Sequence, residues 1–161
     1  MKTDLCILVA DDDANDIFLL QRAFREAEIH NPLHAVADGQ EAIDYLSGAG
    51  KYSDRSQFPW PALVILDLKM PRKTGLEVLE WLRSERGLCC LPTIMHSTSA
   101  HPADVERAYR LGANAFVVKP SSLSDRADLA RMIKGFWLTF NEPPLICTDG
   151  LEAAARRVIH D

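Results

Sequence analysis

Apolar residues along this chain alternate between short unbroken runs and longer stretches with helical spacing. The run at residues 5–10, Leu5 Cys6 Ile7 Leu8 Val9 Ala10, stops at Asp11 Asp12 Asp13. That is the profile of a central strand, buried on both faces, whose following loop presents carboxylates. Over residues 14–28 the period changes, with Ile17, Leu20, Phe24 and Ala27 at helical spacing. Residues 34–37 are a short strand candidate, Asp38 Gly39 turns the chain, and Ala42, Ile43, Tyr45 and Leu46 predict a second helix. Residues 48–61 are polar and rich in glycine and proline, which predicts a long surface loop.

The second half repeats the alternation. Residues 62–66, Ala62 Leu63 Val64 Ile65 Leu66, form the clearest buried strand and end at Asp67. A polar stretch from Lys69 to Gly75 precedes a helix through Leu76, Leu79 and Leu82. Residues 92–96 predict a fourth strand ending near Ser97 Thr98 Ser99, and residues 103–111 a helix for which Gly112 is a left-handed cap. Residues 115–118 are the fifth strand, closed by Lys119 Pro120. Residues 123–140 predict the last core helix, with Leu129, Ile133, Phe136, Trp137 and Phe140 as its apolar positions. Five strand–helix pairs in alternation predict an α/β fold, a doubly wound five-stranded parallel sheet flanked by helices. In such a sheet reactive groups gather at the carboxyl ends of the strands, beside the topological switch point. Asp11, Asp12, Asp67, Ser97 and Lys119 all fall at those ends.

Length and charge narrow the function classes. A chain of 161 residues with 47% hydrophobic residues supports one substantial core but not two ordinary domains. With 23 acidic and 18 basic residues the net charge is -5, which disfavours long-range attraction to nucleic acid. Four cysteines, Cys6, Cys89, Cys90 and Cys147, follow no common zinc or disulfide spacing, so the expectation is a reduced, cytoplasmic protein. Acidic residues follow the first apolar run too soon for a signal peptide or a membrane span.

The strand-end residues suit phosphoryl transfer. A carboxylate attacks phosphorus to give a mixed anhydride, and Asp67 is the candidate acceptor. The reaction needs the oxygens of the transferring group neutralised and the attack aligned, rather than a general base. Asp11 and Asp12 beside Asp67 form a negative cluster suited to a hard divalent cation, Mg²⁺. Asp12 and Asp67 are assigned as direct ligands, Asp11 as a water-mediated one, and the Lys69 backbone carbonyl completes the set. Asp13 is expected to face solvent. Lys119 would set its ammonium against the acyl phosphate, Ser97 would offer its hydroxyl, and Thr98 would control the path of attacking water. Movement of Ser97 would change the space beside Phe116, so Ser97, Phe116 and Tyr109 are candidate switch residues. His96 is assigned to packing or the rim. Taken singly each residue has an ordinary explanation, as a solvated acidic loop, a helix cap or a surface lysine. It is their joint order that points to chemistry.

These segments resemble the response-regulator receiver family. The match is carried by Ile7 Leu8 Val9 Ala10 Asp11 Asp12 Asp13, by Leu66 Asp67 Leu68 Lys69 Met70 Pro71 with Gly75, by Ser97 Thr98 Ser99, by Gly112 Ala113, and by Phe116 Val117 Val118 Lys119 Pro120. The resemblance spans residues 4–140 and implies a flavodoxin-like receiver domain that takes a phosphoryl group from a histidine kinase phosphohistidine with Mg²⁺. It also implies a cis Lys119–Pro120 bond and a changed surface around the fourth helix, fifth strand and fifth helix. Residues 48–61 and the segment Ile133 Lys134 Gly135 Phe136 Trp137 Leu138 Thr139 look like the small single-domain regulators that partner bacterial phytochrome kinases. Ala10 and Ser97 depart from the commonest pattern, Ser97 keeping the hydroxyl without threonine's methyl.

Residues 141–161 are expected to form a C-terminal extension with a short helix over residues 151–158, docking on the receiver or contributing to a homodimer. Output would then pass through a protein effector or a further phosphotransfer protein. Two other classes are open to the sequence: a receiver-like interaction module that is never phosphorylated, and a hydrolase of related strand order. The second lacks a further catalytic acid directly after Asp67, where Leu68 and Lys69 stand. Slow self-dephosphorylation, without turnover of an external substrate, fits the receiver.

Overall fold

The computed structural model describes residue 2, residues 4–144 and residue 146. Cys147 and the helix expected over residues 151–158 lie outside the described residues. Strands β1 (Cys6–Ala10), β2 (Leu33–Val36), β3 (Pro61–Leu66), β4 (Thr93–Ser97) and β5 (Ala115–Val118) alternate with helices α1 (Ala14–Glu26), α2 (Gly39–Ser47), α3 (Gly75–Ser84), α4 (Pro102–Arg110) and α5 (Leu123–Gly135). All neighbouring strands pair in parallel, in the order β2-β1-β3-β4-β5. The five expected strands and five core helices are therefore present, with ends shifted by a residue or two except at the end of the last helix.

The strands read as unbroken apolar runs because both faces of the sheet are covered. Leu8, Ala10, Val64, Leu66 and Met95 join Tyr45 and Leu46 of α2, Leu79 and Leu82 of α3 and Ala108 of α4 in one core. Ile7, Val9, Leu63, Ile65 and Ile94 point the other way, into Leu20, Ala23 and Phe24 of α1 and Ala130 and Ile133 of α5. Alternate side chains on a strand face opposite sides, so each run feeds both layers. The connection from β1 leads to β2 on one side, and the next one crosses from β2 to β3 on the other side of β1. Their carboxyl ends therefore open a crevice at the switch point.

Helix starts follow local chemistry. Asp13 accepts from the Asn15 N–H at 2.9 Å, Asp38 from Glu41 at 2.8 Å and Ser122 from Asp125 at 3.0 Å. Asp13 is exposed as expected, but it also caps α1. Thr74 and Glu77 close a reciprocal capping box at the start of α3. Gly112 has φ of 97° just past α4, the left-handed geometry expected of it.

The segment over residues 48–61 is less loose than its composition predicts. It holds a 3₁₀ turn, Gly50–Ser53, whose Tyr52 is buried. Tyr52, Tyr45 and Phe58 stack with ring centroids 4.9–6.0 Å apart. Arg55 donates to the carbonyls of Tyr45, Leu46 and Phe58 at 2.8–3.1 Å, satisfying the last turn of α2. Composition signalled a surface loop; the aromatic residues within it override that signal by burying their rings.

Glu41 anchors the same segment. It accepts from Tyr52 Oη at 2.6 Å, from the Ala37 N–H at 3.0 Å and from Lys51 at 3.0 Å. These donors, Tyr52 foremost, hold its carboxyl down at about 2. A depressed carboxyl contributes stability above its ordinary value of 4.5 and loses it as pH falls toward about 2. Glu41→Gln is expected to cost roughly 1 kcal/mol near neutral pH, allowing for solvent screening. Urea denaturation should show that cost shrinking near pH 3; an equal cost at both pH values would contradict it.

The last helix departs from expectation. α5 is α-helical to Gly135 and continues as a π-helical segment, Phe136–Phe140, in which the Asn141 N–H reaches the Phe136 carbonyl at 2.8 Å. The wider turn rotates the apolar face. Leu138 becomes fully buried and Trp137 partly so, whereas Phe136 and Phe140 are 55% and 81% exposed. The expectation that both phenylalanines face the core is thus corrected.

Candidate functional site

The crevice at the switch point is built by strand ends. The Asp67 N–H donates to the Ala10 carbonyl at 2.8 Å and the Asp11 N–H to the Val36 carbonyl at 3.1 Å. The ladder thereby carries both aspartates just beyond their strands and sets them side by side. Asp11 and Asp67 are buried and Asp12 is exposed. Asp11, Asp12 and Asp67 each bring a carboxylate oxygen into a group lying within 4.8 Å of one another. Gly75 lets the start of α3 approach the Asp67 backbone, and its N–H donates to the Leu68 carbonyl at 2.9 Å.

Lys119 reaches the same crevice from the end of β5. Its Nζ lies 2.7 Å from Asp11 Oδ2, 2.9 Å from Asp16 Oδ2 and 3.5 Å from Asp67 Oδ1. Burial would lower the ammonium's pKa, but hydrogen bonds to Asp11 and Asp16 outweigh it and hold the pKa above its ordinary value. The structure contains no cis peptide bond among the described residues, so Lys119–Pro120 is trans, contrary to the expectation from resemblance. β5 aims the lysine inward with that bond trans.

Burial dominates the acids. It raises Asp67 to about 6, with Lys119 opposing and the neighbouring Asp11 charge adding to the rise. Asp11 is also raised by burial, against the Lys119 ammonium and the Asp13 N–H. The charge on these carboxylates is thus incompletely compensated by protein groups. Hard oxygen donors with surplus negative charge fit a divalent cation such as Mg²⁺ or Mn²⁺. The chemistry such an ion supplies is charge neutralisation, which also keeps Asp67 ionised near neutral pH.

Ser97 ends β4, buried, with its Oγ accepting from the Ser99 N–H at 3.2 Å. Thr98 beside it is exposed. Phe116 and Tyr109 are linked directly: the Phe116 N–H donates to Tyr109 Oη at 3.2 Å, and the Tyr109 side chain stands largely in solvent. Lys69 is exposed two residues beyond Asp67.

Three residues join this site that sequence reasoning left out or placed elsewhere. Asp16, in the first turn of α1, has an ordinary explanation as a helix-start acid, and nothing in its spacing separates that from a partner of Lys119. Burial would raise it, but Lys119 and then Arg126 pull its pKa below the usual carboxylate value. Arg126 of α5 approaches Asp16 Oδ1 at 3.5 Å. His96 is buried on the α1 and α5 side of β4, with no hydrogen-bond partner for its Nε2. Burial, reinforced by Lys119, lowers its pKa to about 4 and keeps it neutral.

Comparisons with known proteins point the same way. The response regulator receiver domain family matches residues 7–134. Response regulator Rcp1 of Synechocystis is 32% identical over 132 residues, covering 82% of this chain and 88% of the relative. FilR2 of Methanothrix harundinacea, a probable methanogenesis regulatory protein, is 31% identical over 141 residues, 86% of each chain. A crystal structure of RPA3017, a response regulator in red light signalling of R. palustris, superposes with a TM-score of 0.82 at 36% identity, covering 87% of this chain and 98% of that one. A Mn²⁺-bound structure of Rcp1 superposes with a TM-score of 0.78 at 31% identity, covering 87% and 99%. Among the described residues no helix is long and apolar enough to cross a membrane.

Proposed function

The chain belongs to the response-regulator receiver family, a class that accepts phosphoryl groups in histidine-kinase signalling, and from that premise we propose that Asp67 is its phosphoryl acceptor. The observation that carries the assignment is the grouping of the buried Asp67 carboxylate with those of Asp11 and Asp12, together with its 3.5 Å approach to the Lys119 ammonium. Asp12 and Asp67 would hold Mg²⁺ directly and Asp11 through water, with the Lys69 carbonyl completing the protein's share, and the ion would supply charge neutralisation. Lys119 turns to an oxygen of the transferred group. Ser97, whose Oγ accepts from the Ser99 N–H and keeps its own O–H free, donates that hydroxyl to another oxygen, and Thr98 limits water access. Tyr109 and Phe116 are the switch residues; their reading is supported by the Phe116 N–H to Tyr109 Oη hydrogen bond, which couples α4 to β5, the strand that pairs with β4 and Ser97.

The partner is a histidine kinase of the bacterial phytochrome type. Support comes from relatives described as regulators of cyanobacterial phytochrome, bacteriophytochrome and red-light signalling. The receiver unit spans residues 4–140, with residues 141–161 as an extension. The exposed Met132, Phe136 and Phe140, spaced four apart, form an apolar stripe that supports a homodimer or effector contact. Autophosphorylated phytochrome kinase should pass its label to this chain within minutes, and much faster than to an unrelated receiver. Equal rates to both would overturn the pairing.

A further inference from the structure

We propose that Asp16 and Arg126 are positioning residues that relay the state of the Asp67 site, through Lys119, to the first turn of α5. The inference rests on the reading that Lys119 turns to the group carried by Asp67. The two oxygens of Asp16 are divided: Oδ2 accepts from Lys119 at 2.9 Å, and Oδ1 faces the Arg126 guanidinium at 3.5 Å. The first is a close charge-assisted hydrogen bond and the second a looser ion pair with room to close.

Arg126 is oddly placed for an ordinary surface arginine. Its side chain is only 13% exposed, and it sits in the opening turn of α5, where the helix dipole disfavours a cation. Asp16 is the only carboxylate within salt-bridge distance of it among the described residues. The pair bridges α1 and α5, the two helices that cover one face of the sheet.

Lys119 is shared among Asp11, Asp16 and Asp67. When it turns to a phosphoryl oxygen, Asp16 keeps its negative charge and loses its closest cation. A largely buried carboxylate left without a partner is costly, and Arg126 is the cation at hand. Closure of the Arg126 contact draws the opening turn of α5 toward α1. The neutral His96 beside the cluster adds no competing charge. α5 leads into the exposed Met132, Phe136 and Phe140 stripe, so the relay connects the acceptor to a surface able to receive a partner.

The test uses the full chain with Mg²⁺ and beryllofluoride, a stable stand-in for the phosphoryl group on an aspartate, with binding followed by fluorine NMR. In the native background Arg126→Gln should weaken beryllofluoride binding about 3- to 10-fold, and in an Asp16→Asn background less than about 2-fold, as coupled neighbours do. Arg126→Lys should restore most of the affinity by keeping the charge. Equal weakening with and without Asp16, or none in either, overturns the relay. Amide exchange of the native protein gives a second arm that needs no variant: protection over residues 126–130 should rise on binding, and unchanged protection overturns the relay. If the native protein binds no beryllofluoride, the reading of Asp67 as acceptor fails first and the relay with it.

Discussion

Asp67→Asn is expected to abolish phosphoryl acceptance and, at the same time, to make the metal-free protein more stable. The carboxyl of Asp67 is raised from 3.8 to about 6, chiefly by burial and then by the Asp11 charge, with Lys119 opposing. A group whose folded value lies above its unfolded one supports the fold below the unfolded value and loses that support as pH rises through the folded one. Above about pH 6 the ionised Asp67 is therefore a burden, on the order of 2 kcal/mol for a shift of about two units discounted for residual solvation. Asparagine removes the charge and keeps the shape. Lys119 is not orphaned by the change, because Asp11 and Asp16 still accept from it at 2.7 and 2.9 Å. Denaturation in a chelating buffer should show the variant more stable near pH 8 and indistinguishable from the native protein near pH 3. Saturating Mg²⁺ should narrow the difference at pH 8, since the native site gains more from the cation. A variant less stable at pH 8 without metal would show that the cluster is already balanced by protein charges.

Gly75→Ala should damage both the fold and the acceptor site, although it adds a single methyl. A Cβ at this position would stand 2.1 Å from the Asp67 carbonyl oxygen and 3.0 Å from its carbonyl carbon. Both are backbone atoms, so no side-chain rotation relieves the contact. Either the start of α3 or the acceptor's own backbone must move, and the Gly75 N–H to Leu68 hydrogen bond goes with it. The expected cost is about 3 kcal/mol, at the upper end for overpacking. Phosphorylation by acetyl phosphate should slow even where the variant is fully folded, because Asp67 is displaced from Lys119. Gly135→Ala is the control: nothing lies within 4 Å of its Cβ position, and the backbone there is helical. It should stabilise by roughly 0.5–1 kcal/mol through helix propensity alone. Equal stability of Gly75→Ala and the native chain would contradict the close approach.

Much of this architecture is legible in the residue pattern because the sheet is covered on both sides. Residues 5–10 and 62–66 could not read as unbroken apolar runs unless both faces were buried, and their terminal aspartates then had to meet at the switch point. Asp67, the Asp11–Asp12 pair and Lys119 fall together for that reason, with Ser97 at the end of the neighbouring β4. What escaped detection depends on three-dimensional detail that periodicity does not encode. Tyr52 and Phe58 sit in a segment whose glycines and prolines announce a loop, yet tertiary contact with Tyr45 holds them in place. The π-helical turn after Gly135 shifts the face of α5 by a fraction of a turn, so the spacing of Phe136 and Phe140 points to a core they do not enter. Asp16 and Arg126 each have a sufficient local explanation, and only the crossing of α1 and α5 reveals the pair. The isomer at Lys119–Pro120 was inferred from resemblance and is trans in this chain.

The most direct measurement is the intact mass of the native protein and of Asp67→Asn after incubation with acetyl phosphate, with and without Mg²⁺. One added phosphoryl group of about 80 Da, dependent on Mg²⁺ and absent from the variant, is the predicted result. An addition that persists in Asp67→Asn, or a folded native protein that binds Mg²⁺ and gains no mass, would contradict the assignment of Asp67 as acceptor.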